Sequence, residues 1–425
     1  MKVEIISIGT ELLLGHVVNS NAAFLSRELT SLGMDVLYQV TVGNDEKQLL
    51  EAVKLAETRS DLLIFIGGMG PTEDDITKEA LSKHLDTTLI LHEETEDKII
   101  TYHKNSDFKM PENNQLQALI LADSTPMPND TGLSVGMVLE KNDRLYTLVP
   151  GPADECEPMF ENHLKPFLVK KVLEEKVVQT RRLKFFGLTE SQAKKHIGDY
   201  LSHETNPSVS LYSNESEMTV RLTARDKSDE AAEERLDKME KKIMKDLSEF
   251  FYGYGEKRLA DVIKDILIEN ELTITAAESL TGGAFLSALT SDLSAGAILE
   301  GGIVTYSTDK KHEVLKVTKE TIEKYGVVSP ECAIEMAEKS MNLFGSDIGV
   351  GLTGVAGPSS MEGQIPGTVW IGIAYKDKTS FAKHFHFGYK RNKNRSLSVL
   401  HALDLVRRVI KELPIDSSIN YGEDK

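Results

Sequence analysis

Cysteine, concentrated positive charge and long apolar runs are all scarce in this chain of 425 residues. Only two cysteines occur, Cys156 and Cys332. They stand far apart and match neither a disulfide framework nor the paired spacing of a zinc site, so both kinds of small stapled scaffold are excluded. Lysine and arginine number 49 against 67 acidic residues, a formal net charge of -18. Duplex DNA would need a concentrated basic stripe, and none is visible. The one basic concentration, residues 390–395, is short and suits a local phosphate or carboxylate contact. No apolar stretch reaches the length that crosses a bilayer, and the acid at Glu4 argues against a signal peptide. Repeats and low-complexity tracts are lacking too. The expectation is a soluble protein of a reducing cytoplasm, with no membrane partner and no direct nucleic-acid binding.

What is present is a repeated alternation of strand and helix patterns. The length exceeds one hydrophobic core and implies two or three domains. Residues 3–8, 35–42 and 61–66 read as strands, separated by helical patterns at 21–32 and 46–58. That β-α-β-α-β order predicts a parallel sheet with right-handed crossovers. A further strand at 144–149 runs into Pro150-Gly151-Pro152, a breaker cluster that helps close a first domain over 1–172. Residues 178–254 read as a small α+β domain: a strand, a helix, two strands and a charged helix over 229–250. The pattern is similar to KH-like modules, but it contains no Gly-x-x-Gly loop to clamp a nucleic-acid backbone. A structural or dimerising role is the better reading. Residues 258–415 form a third, layered α/β/α pattern that closes on a helix through Ile410. The fold class is α/β.

Two stretches carry chemistry. In the first, Gly67-Gly68-Met69-Gly70-Pro71-Thr72-Glu73-Asp74-Asp75 follows a strand and enters a helix. Glycines permit a tight turn that turns N–H groups toward a ligand, and a helix start adds positive potential, which suits phosphate. Asp74 and Asp75 would repel that phosphate unless a divalent cation of the magnesium type bridged them. As plain helix caps they need no ligand at all. The flanking motifs are Ser7-Ile8-Gly9-Thr10-Glu11, then Asn19-Ser20-Asn21, then Leu148-Val149-Pro150-Gly151-Pro152. The opening with Asn19–Asn21, the glycine-rich stretch and Leu148–Pro152 are three motifs that, in this order, resemble the CinA family. The resemblance implies an N-terminal domain like the molybdopterin-binding MoaB and MogA folds. It also implies a nucleotide or phosphate site over Gly9, Glu11, Asn19, Asn21, Gly67, Gly68, Gly70 and Thr72. Some members hydrolyse ADP-ribose there, with a divalent cation at Asp74 and Asp75 and with potassium. Where the family usually has Gly-x-Ala-Pro-Gly, this chain has Val135 in the proline position.

The second stretch is Ala277-Glu278-Ser279-Leu280-Thr281-Gly282-Gly283, with Gly302-Ile303-Val304-Thr305-Tyr306-Ser307, Lys311, Thr353-Gly354-Val355-Ala356-Gly357-Pro358 and Pro366-Gly367-Thr368-Val369. These match the family's C-terminal domain. The activity implied is hydrolysis of the carboxamide of nicotinamide mononucleotide, a step of pyridine-nucleotide salvage, and no cofactor is implied for it. An unactivated amide needs a nucleophile, a base and oxyanion donors. Lys311 suits the base if burial lowers its pKa. Tyr306 suits a proton relay or a substrate contact. Thr281, Gly282, Gly283, Thr353, Gly354 and Gly357 suit nucleotide or carboxamide contacts, and Arg391 suits the 5′-phosphate. Duller roles fit each residue taken singly: a cap for Ser279, core packing for Tyr306, solvated charges for Lys311 and Arg391. The family generally places its presumed nucleophilic serine five residues before Gly301, and here that position is Gly296. Ser294 and Ser279 are the possible replacements. A displacement of about 1 Å can already cost roughly 100-fold in rate. Two alternatives to the deamidase follow: an N-terminal ADP-ribose pyrophosphatase, and a catalytically silent protein that binds nucleotides or partners. A homo-oligomer, a dimer in the simplest case, is implied by resemblance alone.

Overall fold

A computed structural model of the chain describes residues 1–104, 112–172, 177–201, 205–214, 217–291 and 293–416. It divides into two compact units, Met1–Thr180 with Thr223–Asp237, and Arg181–Leu222 with Lys238–Lys425.

The first unit is built on strands β1 (Lys2–Ile8), β2 (Asp35–Val42), β3 (Leu62–Ile66), β6 (Thr125–Met127), β7 (Gly136–Lys141) and β8 (Arg144–Val149), with β4 (Leu89–Leu91) and β5 (Leu119–Leu121) paired apart as a two-stranded sheet. The six-stranded order is β2-β1-β3-β8-β7-β6. Pairings β1–β2, β1–β3 and β3–β8 are parallel, as expected. The sheet as a whole is mixed, because β7 and β6 add antiparallel. The β7–β8 hairpin turns on Asn142 and Asp143, both at positive φ (54° and 58°), the backbone that suits two-residue hairpin loops. Side chains alternate between two cores. Val3, Ile5, Leu62, Ile64 and Ile66 face one, and Ile6, Ile8, Leu63 and Phe65 face the other, the period-2 signature of a sheet covered on both sides.

Strands β9 (Val177–Phe186), β10 (Ser208–Asn214), β11 (Glu217–Asp226) and β12 (Phe251–Tyr254) form a four-stranded sheet in the order β10-β11-β9-β12. Helices Glu190–Ile197 and Asp229–Leu247 stand where the sequence pattern put them. The first begins with a capping box of Thr189 and Gln192.

The last sheet, in the second unit, has β13 (Ile274–Glu278), β14 (Leu299–Val304), β15 (Ile348–Gly354), β16 (Thr368–Tyr375) and β17 (Phe381–His386) in the order β14-β13-β15-β16-β17. β13 pairs in parallel with both β14 and β15, so their carboxyl ends open on one edge. Ligand crevices of open α/β sheets lie at such edges, where the strand order reverses. The long helix Pro330–Phe344 starts cleanly: Ser329 accepts from Cys332 N–H, and Pro330 sits in the first turn. It ends at Gly345, which is left-handed. Short helices Thr308–Glu313 and Lys319–Tyr325 were not expected from periodicity; each opens on a side-chain cap, Ser307 and Thr318.

Helix Pro330–Phe344 lies on a floor of glycines. A Cβ placed at Gly351 would come within 2.1 Å of the Ala333 carbonyl oxygen, and one at Gly372, its cross-strand partner, within 2.2 Å of the same atom. Because the obstruction is helix backbone, it cannot swing aside as a side chain would. Gly351→Ala should therefore destabilise the second unit by about 2 kcal/mol, the usual scale for overpacking a core. A chemical-denaturation midpoint unchanged from wild type would contradict it.

Candidate functional site

The carboxyl ends of β13, β14 and β15 enclose a cavity of about 540 Å³. Ser279 follows β13, Tyr306 follows β14, and Thr353 and Gly354 end β15. The register Glu278↔Val304 lays the two parallel strands side by side, and Thr305 N–H donates to the Glu278 carbonyl at 2.9 Å. Helix Thr308–Glu313 then returns Lys311 toward Ser279.

Lys311 is 1% exposed. Its Nζ donates to Ser279 Oγ at 3.0 Å and to the Thr305 carbonyl at 2.9 Å, with the Tyr306 carbonyl at 3.5 Å. Among the described residues no carboxylate lies within ion-pair distance of it. Burial lowers the Lys311 pKa below the ordinary lysine value, and Cys332 and Glu362 oppose that shift only in part. Ser279 is buried, and its N–H is tied to the Leu352 carbonyl at 2.9 Å. A serine hydroxyl held by a desolvated lysine amine is a nucleophile–base pair.

Arg391 crosses the cavity mouth. Its Nη2 donates to Tyr306 Oη at 2.9 Å and its Nη1 to the Gly357 carbonyl at 2.8 Å. Leu280, Val327, Val328 and Val355 supply apolar wall. Thr353 lines the cavity, but its hydroxyl donates to the Val327 carbonyl at 2.5 Å and acts as a brace. Gly354 and Gly357 also line it. Glu362 accepts from the Val327 and Val328 N–H groups at 2.8 and 3.3 Å and anchors the loop that carries Met361.

Two expectations need correction. Thr281, Gly282 and Gly283 do not line the cavity. The helix they introduce, Ala284–Leu289, has its first N–H groups occupied from inside: Glu278, fully buried, accepts from Gly283, Phe285 and Leu286 at 2.9, 3.2 and 2.9 Å. A carboxylate already fills the place a phosphate would take. The glycines instead supply the left-handed turn, with φ of 61° and 94°. Ser294 sits in the short turn Leu293–Ala297 before β14 and does not line the cavity. Gly296, in the same turn, is outside the lining as well, and a Cβ built on it meets nothing within 4 Å. Of the serines considered, the structure brings Ser279 to Lys311.

In the first unit the glycine-rich corner is largely filled by its own neighbours. A Cβ on Gly68 would lie 2.2 Å from Thr77 Oγ1, which donates to the Gly67 carbonyl at 2.9 Å. Gly70 makes room for Asp75, whose Oδ2 accepts from Thr72 N–H and Oγ1 at 2.9 and 2.6 Å. Asp74 is exposed, and its carbonyl accepts from Asn44. The helix begins later, at Thr77, so neither carboxylate caps it. With Asp75 spent on Thr72 the two do not make a cation site as they stand. Among the described residues no group of three or more His, Cys, Asp or Glu is placed to hold a metal. The Glu11 carboxylate folds back over Gly9. Asn19 joins Ser7 to the start of helix Ser20–Ser31, accepting from Ala22 N–H. Asn21 donates to the Gly151 carbonyl at 2.6 Å, while its buried Oδ1 has no partner among the described residues. Val135 is fully buried and donates its N–H to the Gln117 carbonyl at 3.2 Å, a bond that proline could not make.

Sequence reasoning missed Glu278, Glu362, Asn394 and Arg395. Asn394 Nδ2 donates to the Ala356 carbonyl at 3.0 Å, and Arg395 donates to the carbonyls of Leu280 and Thr281 at 3.0 and 2.8 Å. The available signal was the four-residue step from Arg391 to Arg395, which puts both on one face of helix Arg391–Ile410.

Comparison with known proteins gives three domain matches: "Probable molybdopterin binding domain" over residues 4–170, "Damage-inducible protein CinA KH domain" over 180–253 and "CinA C-terminal domain" over 256–410. A protein of Listeria monocytogenes serotype 4b named "Putative competence-damage inducible protein" is 42% identical over 407 residues, covering 96% of this chain and 98% of the relative. A protein of the same name from Bacillus subtilis is 41% identical over 412 residues, covering 97% and 99%. A crystal structure of a competence-damaged protein (CinA) superfamily member from Escherichia coli is 30% identical, covering 36% of this chain and 88% of that one, with a TM-score of 0.35. No described helix is long and apolar enough to cross a membrane.

The buried ammonium has a consequence for stability. Below the folded-state pKa of Lys311 the charge is held in both states, so the native state bears the full desolvation penalty. As pH rises through that pKa toward the unfolded value of about 10.4, the penalty is lost. Wild type should therefore gain thermal stability relative to Lys311→Met between pH 7 and pH 10. A difference in melting temperature that stays constant over that range would contradict it.

Proposed function

The chain belongs to the CinA family, and on that premise we propose that its C-terminal domain is an amidohydrolase that deamidates nicotinamide mononucleotide. The observation that carries this reading is the Lys311–Ser279 pair, 3.0 Å apart, buried at the edge of a cavity of mononucleotide size. Neutral Lys311 takes the proton as Ser279 Oγ attacks the carboxamide carbon. The tetrahedral intermediate collapses, the C–N bond breaks, and the Lys311 ammonium returns its proton to the departing nitrogen, which leaves as ammonia. Water, deprotonated in turn by Lys311, then attacks the Ser279 ester and releases the nicotinate nucleotide and the serine hydroxyl. The apolar wall of Leu280, Val327, Val328 and Val355 suits the pyridine ring. Arg391 at the mouth suits the 5′-phosphate, a charge-assisted contact. No metal or cofactor takes part in this scheme. Gly296 in the family's serine position leaves it untouched, because the nucleophile is Ser279.

Purified protein should release ammonia from nicotinamide mononucleotide. Ser279→Ala and Lys311→Ala should each lower kcat by at least about 1,000-fold, as removal of a member of a nucleophile–base unit does. Arg391→Ala should act mainly on KM. Because only neutral Lys311 is a base, kcat/KM should rise with pH on a limb whose midpoint lies below 10.5 and disappears in Lys311→Ala. Ammonia release that survives Ser279→Ala would remove the proposal.

A second reading concerns the N-terminal domain. The unpartnered Asn21 Oδ1, buried beside Gly151, supports nucleotide binding there. ADP-ribose hydrolysis with magnesium and potassium remains what the family resemblance implies, but Asp74 and Asp75 do not fit a cation and no step is assigned to one. ADP-ribose should raise the melting temperature of the full chain, and Asn21→Ala should abolish the rise. An equal shift in both proteins would refute an Asn21 site.

A further inference from the structure

Helix Arg391–Ile410 meets the turn that carries the nucleophile without entering the cavity. Arg395, half-buried and four residues after Arg391, does not line the cavity. Its Nε donates to the Leu280 carbonyl at 3.0 Å and its Nη2 to the Thr281 carbonyl at 2.8 Å. Two consecutive carbonyls are thus held by one planar fork. A guanidinium presents its N–H groups in fixed directions, so the pair of bonds sets the planes of two peptide units at once. In a trans peptide the next N–H points away from the carbonyl. With the Thr281 carbonyl on Arg395, the Gly282 N–H is turned back to the Ser279 carbonyl, and that bond is present at 3.0 Å. On its other side Ser279 N–H is held by Leu352 at 2.9 Å. Gly282 contributes its left-handed φ of 61° to this turn.

We infer that Arg395 is a positioning residue for the amidohydrolase reaction: it fixes the Leu280–Thr281 turn and thereby aims Ser279 Oγ between Lys311 and the substrate. The inference rests on the reading of Ser279 as nucleophile. It separates the two arginines of one helix face. Arg391 touches the cavity and governs binding, whereas Arg395 acts through backbone and governs the chemical step. A lysine cannot replace it, because a single ammonium is a point donor and does not span two carbonyls in fixed planes.

The test uses the full chain with Arg395→Ala and Arg395→Lys, and two readouts. One is steady-state ammonia release from nicotinamide mononucleotide. The other is the rate at which a fluorophosphonate labels Ser279, located by peptide mapping, which needs no substrate. The expected result is a fall of about 100-fold in kcat and in labelling rate for Arg395→Ala, the scale of a reacting group displaced by about 1 Å, with KM little changed. Arg395→Lys should recover only a minor part. Millimolar guanidinium should restore both rates in Arg395→Ala and leave wild type unaffected. Since guanidinium does not stabilise folded chains, such rescue would not come from a merely structural role. Unchanged kcat and labelling, a loss confined to KM, or loss without rescue in both variants would overturn the inference. So would a wild type that is never labelled at Ser279. If wild type is labelled but releases no ammonia, the substrate reading fails, and the labelling rates still decide the role of Arg395.

Discussion

An ammonium withdrawn from water and held by a hydroxyl and a carbonyl is the interaction on which the C-terminal unit turns. Lys311 has Ser279 Oγ and the Thr305 oxygen as its near partners and no carboxylate within ion-pair distance among the described residues. A carboxylate there would stabilise the charged form and leave the amine without a free electron pair at neutral pH. The apolar surroundings do the reverse and favour the neutral amine, the form that can accept a proton from serine. Stability and chemistry therefore pull against each other at this position, as they commonly do where a reactive group must be kept in an uncomfortable state.

Holding that pair in register is the work of one rigid element. Within five residues at its start, helix Arg391–Ile410 reaches three loops of the cavity: Tyr306 and Gly357 through Arg391, Ala356 through Asn394, and Leu280 and Thr281 through Arg395. Farther along the same helix, Asp404 accepts from Arg407 and Arg408 at 2.8 and 2.7 Å, and Arg407 continues to the carbonyls of Glu249 and Phe251. These buried charges are paired and hydrogen-bonded, which is how such groups are tolerated in a core. A site assembled from several loops gains its precision from the packed element that braces them.

Glycine-rich corners after strands behave differently in the two units than their composition suggests. At Gly282-Gly283 the helix start is closed by Glu278, and at Gly68 and Gly70 the open space is taken by Thr77 and Asp75. At Gly68 and Gly70 a neighbour occupies the volume a Cβ would need, whereas Gly282 and Gly283 are required by their left-handed φ. The same composition would serve a phosphate only if the N–H groups were left unclaimed. What distinguishes the two outcomes is a single acidic or hydroxyl side chain, and its reach is not visible in local spacing.

Read alone, the chain determined its layered strand–helix alternation and the motif corners at which Ser279, Tyr306 and Thr353 emerge. These follow from neighbours a few residues apart, through periodicity and turns. The parallel pairing of β13 with β14 was needed to carry Lys311 across 32 residues to Ser279 and to leave Gly296 outside the cavity. Folding also settled that β7 and β6 turn the first sheet mixed, that Asp75 accepts from Thr72, and that Arg395 grips backbone where Arg391 faces the cavity. The reason is the same each time: a side chain's hydrogen bonds and its exposure to water are set by whichever distant segment packs beside it, and local sequence carries no record of that neighbour.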